Sequence, residues 1–117
     1  MQTLNPEKLL QMIENKKQSI SEVHVYFNLR RYRVRQIHRQ ALETVRYCLA
    51  VDTLGLPITV QLLQQLMPNR SRPAILHMLH TLGDKRVLVL RKSQRHGKEL
   101  VWRVNPAFKQ LFQEAAT

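Results

Sequence analysis

Residues 30–40 read RRYRVRQIHRQ, five arginines and one histidine in eleven residues, with Tyr32, Val34 and Ile37 set among them. A guanidinium stays charged at every physiological pH and offers five N–H donors in a rigid plane. Its chemistry is the holding of anions and acceptor-rich edges, not proton transfer. A second basic group, RKSQRHGK, follows at 91–98. Material for catalysis is absent by comparison. The eight acids are scattered singly, Cys48 has no obvious His partner, and there is no Gly-rich phosphate loop or nucleophile elbow. His77 and His80 stand at i and i+3, a spacing that can place two imidazoles on one metal. Without a companion set of Cys, Asp or Glu to complete a tetrahedral site, they read as surface histidines. Neither an enzyme nor a metal or cofactor protein is expected.

The net charge of +11 over 117 residues favours a polyanionic partner, either nucleic acid or an anionic membrane. It lies in two blocks. Residues 21–50 carry +4 (six Arg against two Glu) and residues 84–117 carry +5 (eight Lys or Arg against three acids), while 51–83 carry only +1 (two Arg against one Asp). A single cysteine cannot form an internal disulfide, so a reducing, cytoplasmic setting is expected. The opening MQTLNPEKLL lacks the pattern of a signal peptide, and no stretch approaches the roughly 20 apolar residues of a membrane span.

The elements that must position these charges are legible from caps and periodicity. Asn5-Pro6-Glu7 starts a helix with Leu9, Leu10 and Ile13 on one stripe. Ser21-Glu22 starts a second, short helix. From Arg30 to Leu54 there is no Gly or Pro. Val34, Ile37, Ala41, Val45, Cys48 and Leu49 keep a spacing of three to four, which predicts one long helix, or two nearly continuous ones, over 30–54, closed at Gly55. Leu56-Pro57-Ile58 is extended, Thr59 caps a helix bearing Leu62, Leu63 and Leu66, and Ser71 or Arg72 with Pro73 opens another, closed by Gly83. RVLVLRK and ELVWRV around SQRHGK predict an antiparallel hairpin. Asn105-Pro106 starts a last helix with Phe108, Leu111 and Phe112, a stripe for homodimer contact or for packing back on the hairpin.

The apolar set Val23, Phe27, Leu29, Val34 and Ile37 over residues 20–38 resembles the helix-turn-helix family, whose two short helices share a small core. Asn28 stands where the family prefers glycine and is expected to supply the left-handed turn; His24 stands where it prefers alanine. With Val34, Ile37 and Ala41 inward, a 100° step per residue points Tyr32, Arg35, Gln36 and Arg39 outward with Arg31 on the flank. These five would read base edges in a DNA major groove. Arg30 and Arg33 would hold phosphates.

Residues 44–104 carry a longer likeness. Helix, short strand, helix, turn, helix and hairpin, in that order, resemble a winged-helix domain with Pro73–Leu82 as its third helix. The resemblance implies a wing whose Arg91, Lys92, Arg95, His96 and Lys98 grip the DNA backbone, joined by Arg70, Ser71 and Arg72 at the third helix's start, with His77 and His80 as further contacts along it. The expected fold is mainly α with a small β-hairpin, a helix-turn-helix over 1–42 continuing into a winged helix over 43–117. The expected function is sequence-specific binding of double-stranded DNA, as a transcriptional regulator. A replication, partition or architectural factor, or a winged-helix module for a protein partner, are the alternatives; exposed Leu76 and the neutral block 51–83 favour the last.

Overall fold

The computed structural model describes residues 5–35, 37–96 and 99–115; the side chains of 93–96 and 113–115 also lie outside what is described. In chain order it contains α1 (Pro6–Gln18), α2 (Glu22–Arg31), α3 (Arg39–Thr53), α4 (Val60–Leu66), α5 (Arg72–Asp84), the strands β1 (Leu88–His96) and β2 (Glu99–Val104), and α6 (Pro106–Ala115). The protein is mainly helical with one small antiparallel hairpin.

The helix starts follow local chemistry. Asn5, Ser21, Thr59 and Ser71 each take a backbone N–H of the first turn onto the side-chain oxygen, at 2.9–3.2 Å. Asn105 does the same for Ala107 at 3.1 Å. The helix α3 is the axle of the fold. Ala41, Val45, Cys48, Leu49, Ala50 and Val51 bury on several of its sides, and α1, α2, α4 and β2 pack around it. A helix apolar on so much of its circumference can only be stable inside.

Three helix ends close in the same way. Gly55 (φ 75°), Arg33 (φ 59°) and Arg86 (φ 64°) each adopt the left-handed conformation. The next residue then donates back to a carbonyl five positions earlier: Leu56 to Val51, Val34 to Leu29, and Val87 to Leu82. At Arg33 this closure overturns the expected long helix over 30–54. The helix α2 stops at Arg31, the chain runs irregularly through Tyr32, Val34 and Ile37, and α3 begins only after His38, whose Nδ1 accepts from the Ala41 N–H at 3.3 Å. A continued helix would stack Arg31 and Arg35 at i and i+4, a like-charge pair that opposes it. The return of Val34 onto Leu29 buries an apolar side chain instead.

The inward face of α2 is also not the expected one. Val23 and Phe27 are 65% and 57% exposed, and Val25, Asn28 and Leu29 are buried. The helix carries two apolar pairs at i and i+4, and the Val25–Leu29 pair prevails because Val34 extends it into the core. Asn28 does not make the turn; it sits inside α2, its Nδ2 donating to the His24 carbonyl at 2.9 Å. The last helix folds back on α2 rather than presenting a free stripe. Phe108 is buried edge-on against Tyr32 at 5.2 Å, and Phe112 meets the His24 ring at 4.6 Å.

The hairpin runs in register from Leu88↔Val104 to Arg91↔Val101, then resumes as Arg95↔Leu100 and His96↔Glu99. Lys92, Ser93 and Gln94 are therefore extra residues on β1, a bulge that sharpens the local twist. Strand pairing reaches further into SQRHGK than the expected loop, and Gly97 and Lys98 lie outside the described residues. Ile58 adds a one-residue third strand, exchanging backbone hydrogen bonds with Trp102 at 2.9 and 3.3 Å. Gly83 does not close α5, which runs on to Asp84 and ends through Lys85 and Arg86. Its reason for being glycine is contact: a Cβ there would stand 3.0 Å from the buried Trp102 ring. Replacing Gly83 by alanine should lower stability by about 1 kcal/mol, overpacking outweighing the helix propensity gained, as a urea melt would record.

Candidate nucleic-acid interface

Six of the described cations are tied into the structure. Arg46 donates to the carbonyls of Ile20 and Lys17 at 2.9 and 3.3 Å, closing the C-terminal end of α1. Arg70 donates to Thr44 Oγ1 at 2.6 Å, Arg72 pairs with Glu99, and Lys17 lies over the Tyr47 ring beside Glu14. Arg103 and Lys109 converge on Asp52 at 2.7 and 2.8 Å. Lys8, Lys16, Lys85 and Arg86 have no ion pair among the described residues and stand apart. Seven others are grouped, Arg30, Arg31, Arg33, Arg35 and Arg39, with Arg91 and Lys92 on the hairpin. All seven are exposed, and among the described residues no acid lies within ion-pair reach of them.

Arg30, Arg33 and Arg35 border one cleft of about 710 Å³, with Tyr26, Val34 and Ile37 as its other walls. The helix α2 carries Tyr26 and Arg30, the left-handed turn carries Arg33, and the irregular link carries Arg35. Holding an arginine in the left-handed region costs on the order of 1 kcal/mol that glycine avoids. Arg33→Gly should therefore raise stability by about 0.5 kcal/mol in a denaturant melt, after the extra freedom glycine brings to the unfolded chain.

A second basic cleft, of about 350 Å³, lies between the hairpin and the first turn of α6, lined by Asp52, Arg91, Arg103 and Lys109 among others. Asp52 is only 3% exposed. Burial by itself would raise its carboxyl, but hydrogen bonds and charge from Lys109 and Arg103 outweigh that and hold it below the usual carboxylate range. Asp52 Oδ1 also lies 3.4 Å from the Val104 N–H, so the group anchors hairpin and α6 to α3. The start of α6 joins the two basic regions, since Phe108 packs on Tyr32, beside Arg33, while Lys109 faces the second cleft.

The expected base readers do not share a helix face. Arg31 ends α2, Tyr32 turns inward onto Phe108, Arg35 stands in the irregular link, Arg39 opens α3, and Gln36 lies outside the described residues. Among the expected backbone contacts, Arg30, Arg33, Arg91 and Lys92 are exposed and have no ion pair among the described residues. Arg70 and Arg72 are engaged within the protein, and Ser71 spends its hydroxyl as the α5 cap. Arg95 and His96 lie on β1, but their side chains, and Lys98 altogether, fall outside what is described. His77 is exposed on α5, and His80 lies edge-on to Trp102 at 4.9 Å. Leu76 is exposed on the same helix.

Tyr26 and Phe27, three to four residues before the arginine run, form an edge-on pair at 5.5 Å, with Tyr26 in the wall of the first cleft. Cys48 is fully buried, which pushes its thiol up to about 12, so it stays protonated and unreactive. Among the described residues no helix is long and apolar enough to cross a membrane. No protein-family model matches the chain, and a search of curated proteins finds no match either.

Proposed function

We propose that this protein binds double-stranded DNA, chiefly through its phosphate backbone, as a winged-helix protein acting in transcriptional regulation. The observation that carries the reading is a cluster. Arg30, Arg31, Arg33, Arg35 and Arg39 lie within ten positions of one another, exposed and without an ion pair among the described residues, with Arg91 and Lys92 on the hairpin, whereas Arg46, Arg70, Arg72, Arg103 and Lys109 are held by the fold. An ordered surface of unpaired guanidinium groups has a polyanion as its natural counterpart. The order α3, Ile58 bridge, α4, α5 and hairpin agrees with a winged helix, whose wing here carries Arg91 and Lys92.

A specific observation favours a second reading. The arginines over 30–35 lie at a helix end and on an irregular link, a setting suited to phosphates more than to a row of base edges. An architectural or replication factor would need no more than that. One experiment tests both. Affinity for a duplex is measured by fluorescence anisotropy against salt, and bound fragments of sheared genomic DNA are sequenced. A log–log slope near −5 to −7, as for about six to eight phosphates, supports DNA binding; a slope near zero, or no binding at low salt, would overturn it. A shared motif in the recovered fragments supports regulation, and even coverage supports the architectural reading.

A further inference from the structure

A blunt duplex leaves the first cleft's aromatic side unused. Phosphate contacts need the guanidinium groups of Arg30, Arg33 and Arg35, yet the cleft is about 710 Å³, within the size range of small-molecule sites, and Tyr26 is part of its lining. Phe27 stands edge-on to that ring and is 57% exposed, although α2 had the alternative of burying it. Aromatic rings beside arginines bind nucleic acid by stacking, and inside a duplex both faces of every base are already covered by neighbours. Away from the two blunt ends, only an unpaired nucleotide offers a free face.

We propose that the cleft of Tyr26, Arg30, Arg33 and Arg35, with Phe27 beside it, holds an unpaired nucleotide of a strand that continues from bound duplex. The base stacks on the Tyr26–Phe27 pair, and the three arginines hold its flanking phosphates. The inference rests on the reading of the protein as DNA-binding and adds a substrate class to it: duplex with a single-stranded tail, gap or bubble. The chemistry required is a base and its phosphates, which DNA and RNA strands share.

The test compares three duplexes of one sequence by anisotropy at near-physiological salt: blunt, with a DNA tail of about ten nucleotides, and with an RNA tail of that length. The expected result is that a tail tightens binding about tenfold, the order that base–aromatic stacking supplies. The RNA arm reports which sugar the cleft accepts, and a gain with either tail supports the proposal. Phe27→Ala removes an exposed side chain. It should abolish the gain while leaving blunt-duplex affinity and the melting temperature unchanged, and Phe27→Trp should restore the gain. A 2-aminopurine in the tail should be quenched on binding by the wild type and not by Phe27→Ala. Equal affinity for tailed and blunt duplexes, or a gain that survives Phe27→Ala, would overturn the proposal and leave duplex binding standing. Self-association lost in Phe27→Ala, with no preference for a tail, would assign the pair to a protein contact and overturn it as well. Failure to bind any of the three would remove the DNA-binding reading together with the inference.

Discussion

Alanine at Arg30, Arg33 and Arg35 together is expected to weaken duplex binding about 100-fold at physiological salt and to make the log–log salt slope shallower by about 2.7. Each phosphate neutralised by the protein releases condensed counterions and contributes about 0.9 to that slope, so three lost contacts account for the change. The same exponent, taken between 1 M and 0.15 M salt, gives the factor in affinity. Folding should be little affected. The three side chains are exposed, and none has an acidic partner among the described residues. Arg46 provides the contrast. It closes α1 through two carbonyls, so Arg46→Ala should lower stability by about 1 kcal/mol and leave the salt slope unchanged. Equal slopes for the triple variant and the wild type would place the phosphate contacts elsewhere.

Asp52→Asn is expected to cost about 3 kcal/mol of stability, lowering the melting temperature by roughly 10 °C. The carboxylate is buried and takes hydrogen bonds from Arg103 and Lys109, so its neutral replacement leaves two cations facing one amide oxygen and two added N–H donors. Neither cation is fully buried, and this keeps the loss at the low end for a broken buried pair. The pH dependence has a definite sign. Since the folded carboxyl lies below its unfolded value near 3.9, the stabilisation is complete above that pH and is lost as the pH falls through the folded pKa. Acid denaturation of the wild type below about pH 4 should therefore be steeper than that of Asp52→Asn. Urea melts at pH 7 and pH 3 check both statements; a stability gap between the two proteins that did not shrink on acidification would exclude the carboxylate as its source.

What the sequence determined by itself was set by chemistry within a few residues. A cap needs one side-chain oxygen and an N–H two or three positions on, so Asn5, Ser21, Thr59 and Asn105 announced four helix starts without reference to the rest of the chain. A fifth was placed at Ser71 or Arg72, of which Ser71 is the cap. Gly55 announced an end, and alternating β-rich runs announced the hairpin. The excess of positive charge and its two blocks were likewise properties of composition. Tertiary structure decided whatever depended on distant partners. Val23–Phe27 and Val25–Leu29 are equivalent as helical stripes, and the choice between them came from Val34 returning onto Leu29 and from α6, some eighty residues along the chain, packing against α2. The break at Arg33 was hidden because a glycine-type closure was made with arginine. The same distance effect sorted the cations. Arg46 meets Ile20, Arg70 meets Thr44, and Arg103 and Lys109 meet Asp52, so which charges remain for a ligand followed only after folding had paired the others. Local hydrogen bonds have partners fixed by the covalent chain, whereas ion pairs and buried faces have partners chosen by the fold.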